Sequence, residues 1–380
     1  MAKSYVARWH GPNVAFDAHE AGRADLVLDA IFGAGLNRDL DPDIAAILTA
    51  ARQIVAVDVP SGLDGATGLA RGFAPQAVLT VTFFRLKPGH LLLPGRDLCG
   101  ETQLADIGMP AAVLTAIAPR AFRNGPGLWR LPGLASNTHK YERGHVTILG
   151  GPEMTGAARL AADAARRAGA GLVSIAAFGA AAVYRNGAPG ALVTEAPVAE
   201  LLADRRRSVW VCGPGLGPDL ARQSWPLLRE AGRAVVGDAD LFSAFAADPD
   251  ALRGATVLTP HAGEFARVFG PPGPDRLAAV RAAAARTGAV VVLKGGDTIV
   301  ARPDGMAAIN DQAPPWLATA GSGDVLAGMI AGLLARGMPG WEAALAGVWL
   351  HGQAALAVGA GLIAEDLAPA LPRVMVTLSS

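Results

Sequence analysis

The chain is poor in cysteine, in aromatic residues and in charge. Its two cysteines, Cys99 and Cys212, stand far apart, which excludes the close spacings of zinc and dithiol redox centres and any dense disulfide framework. Aromatic residues make up 6% and charged residues 17%, and Lys+Arg 33 balances Asp+Glu 33, so there is no basic field for a nucleic-acid partner. No apolar run reaches the length of a membrane span without a charge, Gly or Pro inside it, and no positively charged start leads into an apolar block. The expectation is therefore no membrane partner, no secretion signal and a cytoplasmic protein. Hydrophobic residues at 51% and 47 glycines in 380 residues describe a well-packed α/β chain of two or three domains.

Apolar runs that end in small or polar residues recur along the sequence. Residues 25–32, 53–59 and 77–83 read as buried strands, with helical spacing over 42–52. They end at Gly33-Ala-Gly-Leu36, Pro60-Ser-Gly-Leu-Asp64 and Lys87-Pro-Gly89. A strand–helix–strand rhythm implies parallel pairing, with ligand loops where strands end. No complete β-α-β unit precedes Asp25, so a truncated Rossmann-like domain is expected over 1–124. The Pro/Gly-punctuated stretch 110–136 is the connector. Beyond it, over 125–380, strands are expected at 145–149, 172–176, 209–212, from 235, 256–258 and 289–293, with an Ala-rich helix over 156–168. Two long helices, after Asp324 and over 341–358, close the chain.

The second domain is organised around Ala320-Gly-Ser-Gly-Asp324, followed by an apolar helix-forming run. Gly321 and Gly323 permit close backbone approach, and amides at a helix start favour anions. A carboxylate at such a mouth suits removal of a proton from a substrate hydroxyl, although an Asp in the first turn of a helix is also a common structural feature. Lys294-Gly-Gly-Asp-Thr298 places a cation, glycine amides and a hydroxyl at a strand end, as phosphate binding or an exposed turn would require. His261 and Glu264 follow another strand, where they either meet a polar ligand or open a helix. Gly213-Pro-Gly-Leu-Gly217 serves either close ligand approach or tight packing, and Asn137–His145 either lines the crevice or is a solvated charged segment. In the first domain Asp58 and Lys87 are candidates for an acid–base pair, while Asp29 within a strand needs a partner or a cation.

Taken together, and in this order, the motifs resemble the bifunctional NAD(P)H-hydrate repair family. There, an epimerase domain precedes an ADP/ATP-dependent NAD(P)H-hydrate dehydratase domain with a ribokinase-like fold. The resemblance rests on Lys140 with Arg143-Gly144, Gly156-Ala-Ala158, Gly213–Gly217, Thr259-Pro-His-Ala-Gly-Glu264, Lys294–Thr298 and Ala320–Asp324. It implies that Lys294, Gly295, Gly296, Asp297, Thr298 and Gly323 hold ADP or ATP, with Mg2+ on the phosphates. It further implies that Ala157, Gly217, His261 and Asp324 face the hydrated NADH or NADPH, Asp324 acting as the base. Asp238-Ala-Asp-Leu-Phe242 and Ala313-Pro-Pro-Trp316 depart from the family pattern without removing a group given a role.

In the first domain the resemblance runs through residues 29–36, 57–63 and 82–89. It implies potassium on Asp29 and Ser61, and substrate contacts from Gly33, Ala34, Gly35, Leu36, Asn37, Arg38, Asp39 and Asp58, with Lys87 nearby. An upstream Asn-x-Gly-Gly-Asp-Gly loop of the family is absent, so impaired epimerase activity is expected, as is an exposed sheet edge that favours homo-oligomers. The alternative readings are a ribokinase-like kinase for a small alcohol such as a vitamin precursor, and a nucleotide-binding scaffold without turnover.

Overall fold

A computed structural model describes residues 10–133, 135–187 and 189–378; the weakly patterned residues 1–9 lie outside the described part. The chain forms two compact units, Met1–Ile117 and Ala118–Ser380. Among the described residues no helix is long and apolar enough to cross a membrane.

In the first unit β1 (Val27–Asp29), β2 (Ile54–Val57), β3 (Leu79–Phe83) and β4 (Glu101–Ala105) make one parallel sheet in the order 1-2-3-4. Ile54 and Ala56 of β2 join Leu40, Leu48 and Ala77 in its core. The helix Pro42–Ala50 crosses between β1 and β2, started by Asp41, whose carboxylate accepts the Asp43 amide. β4 was not expected from the sequence. Its Glu-Thr-Gln-Leu-Ala run is polar because it is an edge strand with little to bury.

The second unit carries a ten-stranded sheet. Its strands are β5 (Ala121–Arg123), β6 (His145–Gly150), β7 (Leu172–Ala177), β8 (Leu192–Thr194), β9 (Val209–Cys212), β10 (Ala234–Gly237), β11 (Val257–Leu258), β12 (Val290–Leu293), β13 (Thr298–Ala301) and β14 (Ala307–Asn310). The order is 5-14-13-12-11-10-9-6-7-8. Pairing is parallel from β8 to β12, while β13 is antiparallel to both of its neighbours. β9 and β12 are buried throughout, as their unbroken Val-Trp-Val-Cys and Val-Val-Val-Leu sequences require. β5 falls inside the stretch expected to be a connector. Three residues carry no periodicity, and only pairing with β14, Phe122 opposite Ala308, makes them a strand.

The helix Ser322–Ala335 is apolar all round and almost wholly buried. It lies against the helix Thr155–Arg167 at backbone distance: a β-carbon on Gly328 would stand 2.2 Å from the Ala161 carbonyl oxygen, and one on Gly332 2.5 Å from that of Ala165. Gly328→Val should therefore cost about 3 kcal/mol by overpacking and lower the thermal midpoint by about 6–12 °C. A thermal melt followed by circular dichroism checks this, and an unchanged midpoint would contradict the close packing. The second long helix is Gly340–Val358. A third, Ala364–Val376, was not expected because Pro369 and Pro372 lie inside it; packing against its neighbours overrides them.

Candidate active site

Strands β9 to β12 run the same way, so their carboxyl ends bring Gly213, Asp238, Thr259 and Lys294 to one edge of the sheet. His261 and Lys294 are bridge partners there, and the Lys294 amide donates to the Pro260 carbonyl at 2.9 Å. The Lys294 ammonium donates to Asp238 Oδ1 at 2.7 Å and lies 3.8 Å from Glu264 Oε2. Asp238 is 2% exposed and Glu264 9%, so both carboxylates depend on that cation. Burial works against the charged lysine, but Asp238, Glu264 and Asp324 outweigh it and hold its pKa above the ordinary value. For Glu264, burial is the largest influence and pushes its pKa up, with Lys294 opposing.

The mouth of the helix Ser322–Ala335 closes on this lysine. Gly321 begins it in the left-handed region at φ 86, where a β-carbon would stand 2.6 Å from Leu160 Cδ1. No side chain caps the turn, and among the described residues the Gly323 and Asp324 amides have no protein acceptor. A β-carbon on Gly323 would come 3.2 Å from the Lys294 ammonium, so this glycine lets the cation reach the free amides. Asp324, one residue on, is half-buried. Burial and then the neighbouring Asp238 raise its pKa to about 6, with Lys294 opposing and Glu264 and Asp240 adding.

A cavity of about 570 Å³ opens beside the mouth. Its lining includes His261, Lys294, Gly295, Gly296, Thr298 and Gly323, together with Asn310, Leu317, Ser322, Leu326, Val348 and His351. The Thr298 hydroxyl donates to the Gly295 carbonyl at 2.8 Å and accepts that residue's amide at 3.1 Å, fixing the glycine turn. Asp297 does not line the cavity: its buried carboxylate is ion-paired with Arg276 and holds the turn from behind. His351 and Asn310 were not singled out from the sequence. Each lies in a largely apolar helix or strand with no motif around it, and only the fold brings it to the cavity.

The glycine-rich loop after β9 joins the same site. Gly213 has φ 127, and a β-carbon on it would stand 1.7 Å from the Asp238 carbonyl oxygen. One on Gly215 would meet the Met154 carbonyl at 2.4 Å and Ala157 Cβ at 3.0 Å. The Gly217 amide donates to Asp240 Oδ2 at 2.8 Å. Ala157 thus lies beside this loop, Asp240 holds Gly217, and the charge of Asp240 bears on Asp324, but none of these four residues lines the cavity itself. His261 opens a helix and also stands at the cavity. Its Nδ1 accepts the Gly263 amide at 3.0 Å while Glu264 Oε2 accepts the His261 amide at 2.8 Å, starting the helix Ala262–Phe269, and its ring still borders the cavity.

The polar segment 137–145 does not line the crevice. His145 begins β6, at the opposite end of the sheet, and Gly144 packs on the Ala335 carbonyl at the far end of the Asp324 helix. That helix is about 20 Å long by its rise per residue.

In the first unit Asp58 has φ 72 just past β2. Its Oδ1 accepts from the Lys87 ammonium at 2.5 Å and the Thr82 hydroxyl at 3.0 Å, and its Oδ2 from the Ala34 amide at 3.0 Å. Burial raises its pKa, but the Ala34 amide and Lys87 together hold it below the usual value. His90 links the pair: its Nδ1 accepts the Lys87 amide at 2.9 Å and its Nε2 donates to the Asp58 carbonyl at 2.8 Å. The loop 33–39 lies alongside, a β-carbon on Gly33 falling 2.9 Å from Asp58 Oδ2; Gly35 has open space, and Arg38 lies over the Phe32 ring at 5.9 Å. Buried Asp29 accepts the Ser61 amide at 2.7 Å and its hydroxyl at 2.6 Å, and the Ile31 amide at 3.3 Å. That hydroxyl also accepts the Phe32 amide at 3.0 Å. Among the described residues no cluster of three or more His, Cys, Asp and Glu is arranged to hold a metal ion.

Comparison with known proteins finds relatives for both units. The family model described as NAD(P)H-hydrate dehydratase matches residues 146–373, and that described as YjeF-related protein N-terminus matches residues 2–89. The bifunctional NAD(P)H-hydrate repair enzyme of Mycobacterium tuberculosis is 42% identical over 331 residues, 84% of this chain and 67% of the relative. That of Escherichia coli is 34% identical over 378 residues, 92% of this chain and 72% of the relative. The ADP/ATP-dependent NAD(P)H-hydrate dehydratase of Bacillus subtilis, solved with ATP/Mg2+, superposes with a TM-score of 0.56 at 31% identity, over 65% of this chain and 94% of that one. A ribokinase-like superfamily protein of Enterococcus faecalis gives a TM-score of 0.59 at 25% identity, over 65% and 92%. The chain belongs to the NAD(P)H-hydrate repair family, and its second unit is a ribokinase-like NAD(P)H-hydrate dehydratase.

Proposed function

We propose that the second unit uses ADP or ATP to dehydrate the S epimer of hydrated NADH or NADPH, with Asp324 as the base. The observation that carries this reading is the junction of Lys294 with Gly323: a part-buried cation and free helix-mouth amides stand at one cavity, and Asp324, next in sequence to Gly323 and within the field of that cation, lies just behind the lining with a pKa of about 6. In this reading the nucleotide's phosphates lie against Lys294, Gly295, Gly296 and the Gly323 amide. The hydrated ring lies toward Ala157, Gly217 and His261. Asp324 takes the proton of the ring hydroxyl, whose oxygen attacks the terminal phosphorus as the bond to the shortened nucleotide breaks. The ring nitrogen's lone pair then expels the phosphate ester with its C–O electrons. Loss of a proton from the adjacent carbon restores the dihydronicotinamide.

Magnesium belongs with the nucleotide phosphates in this scheme, where it neutralises transferred charge. The matched relative's ATP/Mg2+ complex supports nucleotide use. Potassium at Asp29 and Ser61 does not fit what the residues show: they satisfy one another and neighbouring amides, leaving no open cage of oxygens. No step is therefore routed through that ion.

Incubation of the chain with chemically prepared hydrate and ADP or ATP tests the reading. Return of the reduced-nicotinamide absorbance, with one inorganic phosphate per ring restored, is the expected result. Accumulation of a stable phosphorylated alcohol would instead assign a kinase.

For the first unit we propose that Asp58 and Lys87 form the acid–base pair of the epimerase half. Whatever interconversion of the two hydrate epimers the parent chain retains should fall by about 10²–10⁴-fold in Lys87→Ala, the usual worth of a placed proton-transfer group, with the dehydratase unchanged. Chiral chromatography of the hydrates follows it; a parent rate above the uncatalysed background that is unchanged in the variant would remove the pair from the mechanism.

A further inference from the structure

Ser322 lies between the two glycines of the helix mouth and has no role in the scheme above. Its hydroxyl is buried, borders the cavity, and lies 3.2 Å from Nε2 of His351, which reaches over from the helix Gly340–Val358. The same nitrogen lies 3.0 Å from the Ser322 carbonyl oxygen. A carbonyl only accepts, so Nε2 must carry the proton and donate. The hydroxyl oxygen, on that same N–H, is then an acceptor as well, and its own proton must go elsewhere. Among the described residues the structure gives that proton no protein acceptor. A buried hydroxyl donor left unpaired costs free energy, and it stands at the edge of a cavity whose walls supply cations and amides but little that could accept it. A ligand that brings acceptor oxygens completes such a site in place of water.

We propose that Ser322 donates a hydrogen bond to a phosphoryl oxygen of the nucleotide, and that His351 is the positioning residue that fixes the direction of that bond. The proposal rests on the nucleotide-dependent reading above and adds a side-chain hydroxyl to the donors given there. Burial keeps His351 neutral, its pKa lowered to about 4, so the arrangement holds throughout the working pH range. It also gives the serine hydroxyl a reason not to turn back and cap the free amides, which is what serine does at many helix starts.

Binding of ADP and of adenosine to the full chain, measured by calorimetry, tests this. Ser322→Ala should weaken ADP about ten- to a hundredfold, as for a lost bond to a charged acceptor, and leave adenosine unchanged, since adenosine has no phosphate to accept it. His351→Leu should give a similar loss for ADP. His351→Gln, which keeps an N–H donor, should recover most of it. The double variant Ser322→Ala with His351→Leu should be no weaker than either alone, because the two act through one bond. Equal loss of ADP and adenosine in Ser322→Ala would mean a merely structural role and overturn the proposal. So would unchanged ADP affinity in a parent chain that binds ADP. A parent chain that binds neither nucleotide nor nucleoside would instead sink the nucleotide-dependent reading itself, and this proposal with it.

Discussion

Asp324→Asn should leave ADP bound and turnover lost, with kcat for dehydration down at least 10³-fold, since it removes the base at the point where the ring alcohol must give up its proton. A scaffold that only binds nucleotide would have no such activity to lose, so the same variant separates an enzyme from a binder. The parent enzyme should show the complementary pH effect. With the carboxyl pKa at about 6, the reactive carboxylate is converted to the acid as pH falls, and kcat should drop tenfold per unit well below that value. An acid limb centred near pH 4, the range of an unperturbed aspartate, would mean that Asp324 is not the base.

The same shift makes a stability prediction. A carboxyl whose folded pKa is raised favours the fold while protonated, and that contribution is lost as pH rises through the folded pKa. For Asp324 the window runs from the ordinary aspartate value of 3.8 up to about 6. At pH 7.5 the ligand-free enzyme therefore carries the whole penalty of a charged, half-buried carboxylate facing Asp238 and Glu264. Asp324→Asn should relieve about 1–3 kcal/mol of it and raise the thermal midpoint, while the advantage should fade as the pH is lowered toward 4. A variant that is inactive and less stable at pH 7.5 would point to a structural aspartate instead.

Much of this site was legible in the sequence, because strand ends in a parallel sheet are where apolar runs stop and glycines, acids and lysines begin. The Asp324 mouth, the Lys294 turn, the His261 corner and the Gly213 loop could each be read as such an ending, and the fold places all of them at the carboxyl edge of β9 to β12 or at the mouth facing it. What could not be read is which way a side chain turns. Asp297 sits in the same motif as Lys294, yet its partner is Arg276, which no short-range pattern connects to it. His351 is one of three polar residues in a largely apolar helix, and its meaning arises only where that helix crosses the start of another. The short strands β5 and β8 lacked any pattern of their own, since three residues that pair at the margin of a sheet have no period to show.

Lys294→Met should cause the broadest damage of any single change in this site, because three carboxylates lean on one ammonium. Asp238 loses its 2.7 Å partner while remaining 2% exposed, and Glu264 loses the counter-charge at 3.8 Å. Removing one side of a buried ion pair costs about 3–5 kcal/mol, so the melting midpoint of the variant should fall by about 6–20 °C at neutral pH. Part of that loss should be recovered on acidification, since protonating Glu264 and Asp324, whose pKa values burial already raises, removes the repulsion the lysine had been offsetting. Affinity for ADP should fall at least a hundredfold, as the site's charged phosphate donor is gone. Any residual dehydration should show its acid limb moved above pH 6, because the lysine is the influence that holds the Asp324 pKa down. Lys294→Arg tests geometry against charge: it restores a cation but brings a planar fork to a glycine where even a β-carbon would stand only 3.2 Å from the present ammonium, so stability should return further than activity. If Lys294→Met keeps the parent's acid limb and its ADP affinity, the ammonium does not couple base and phosphate, and the two must be joined by the helix mouth alone.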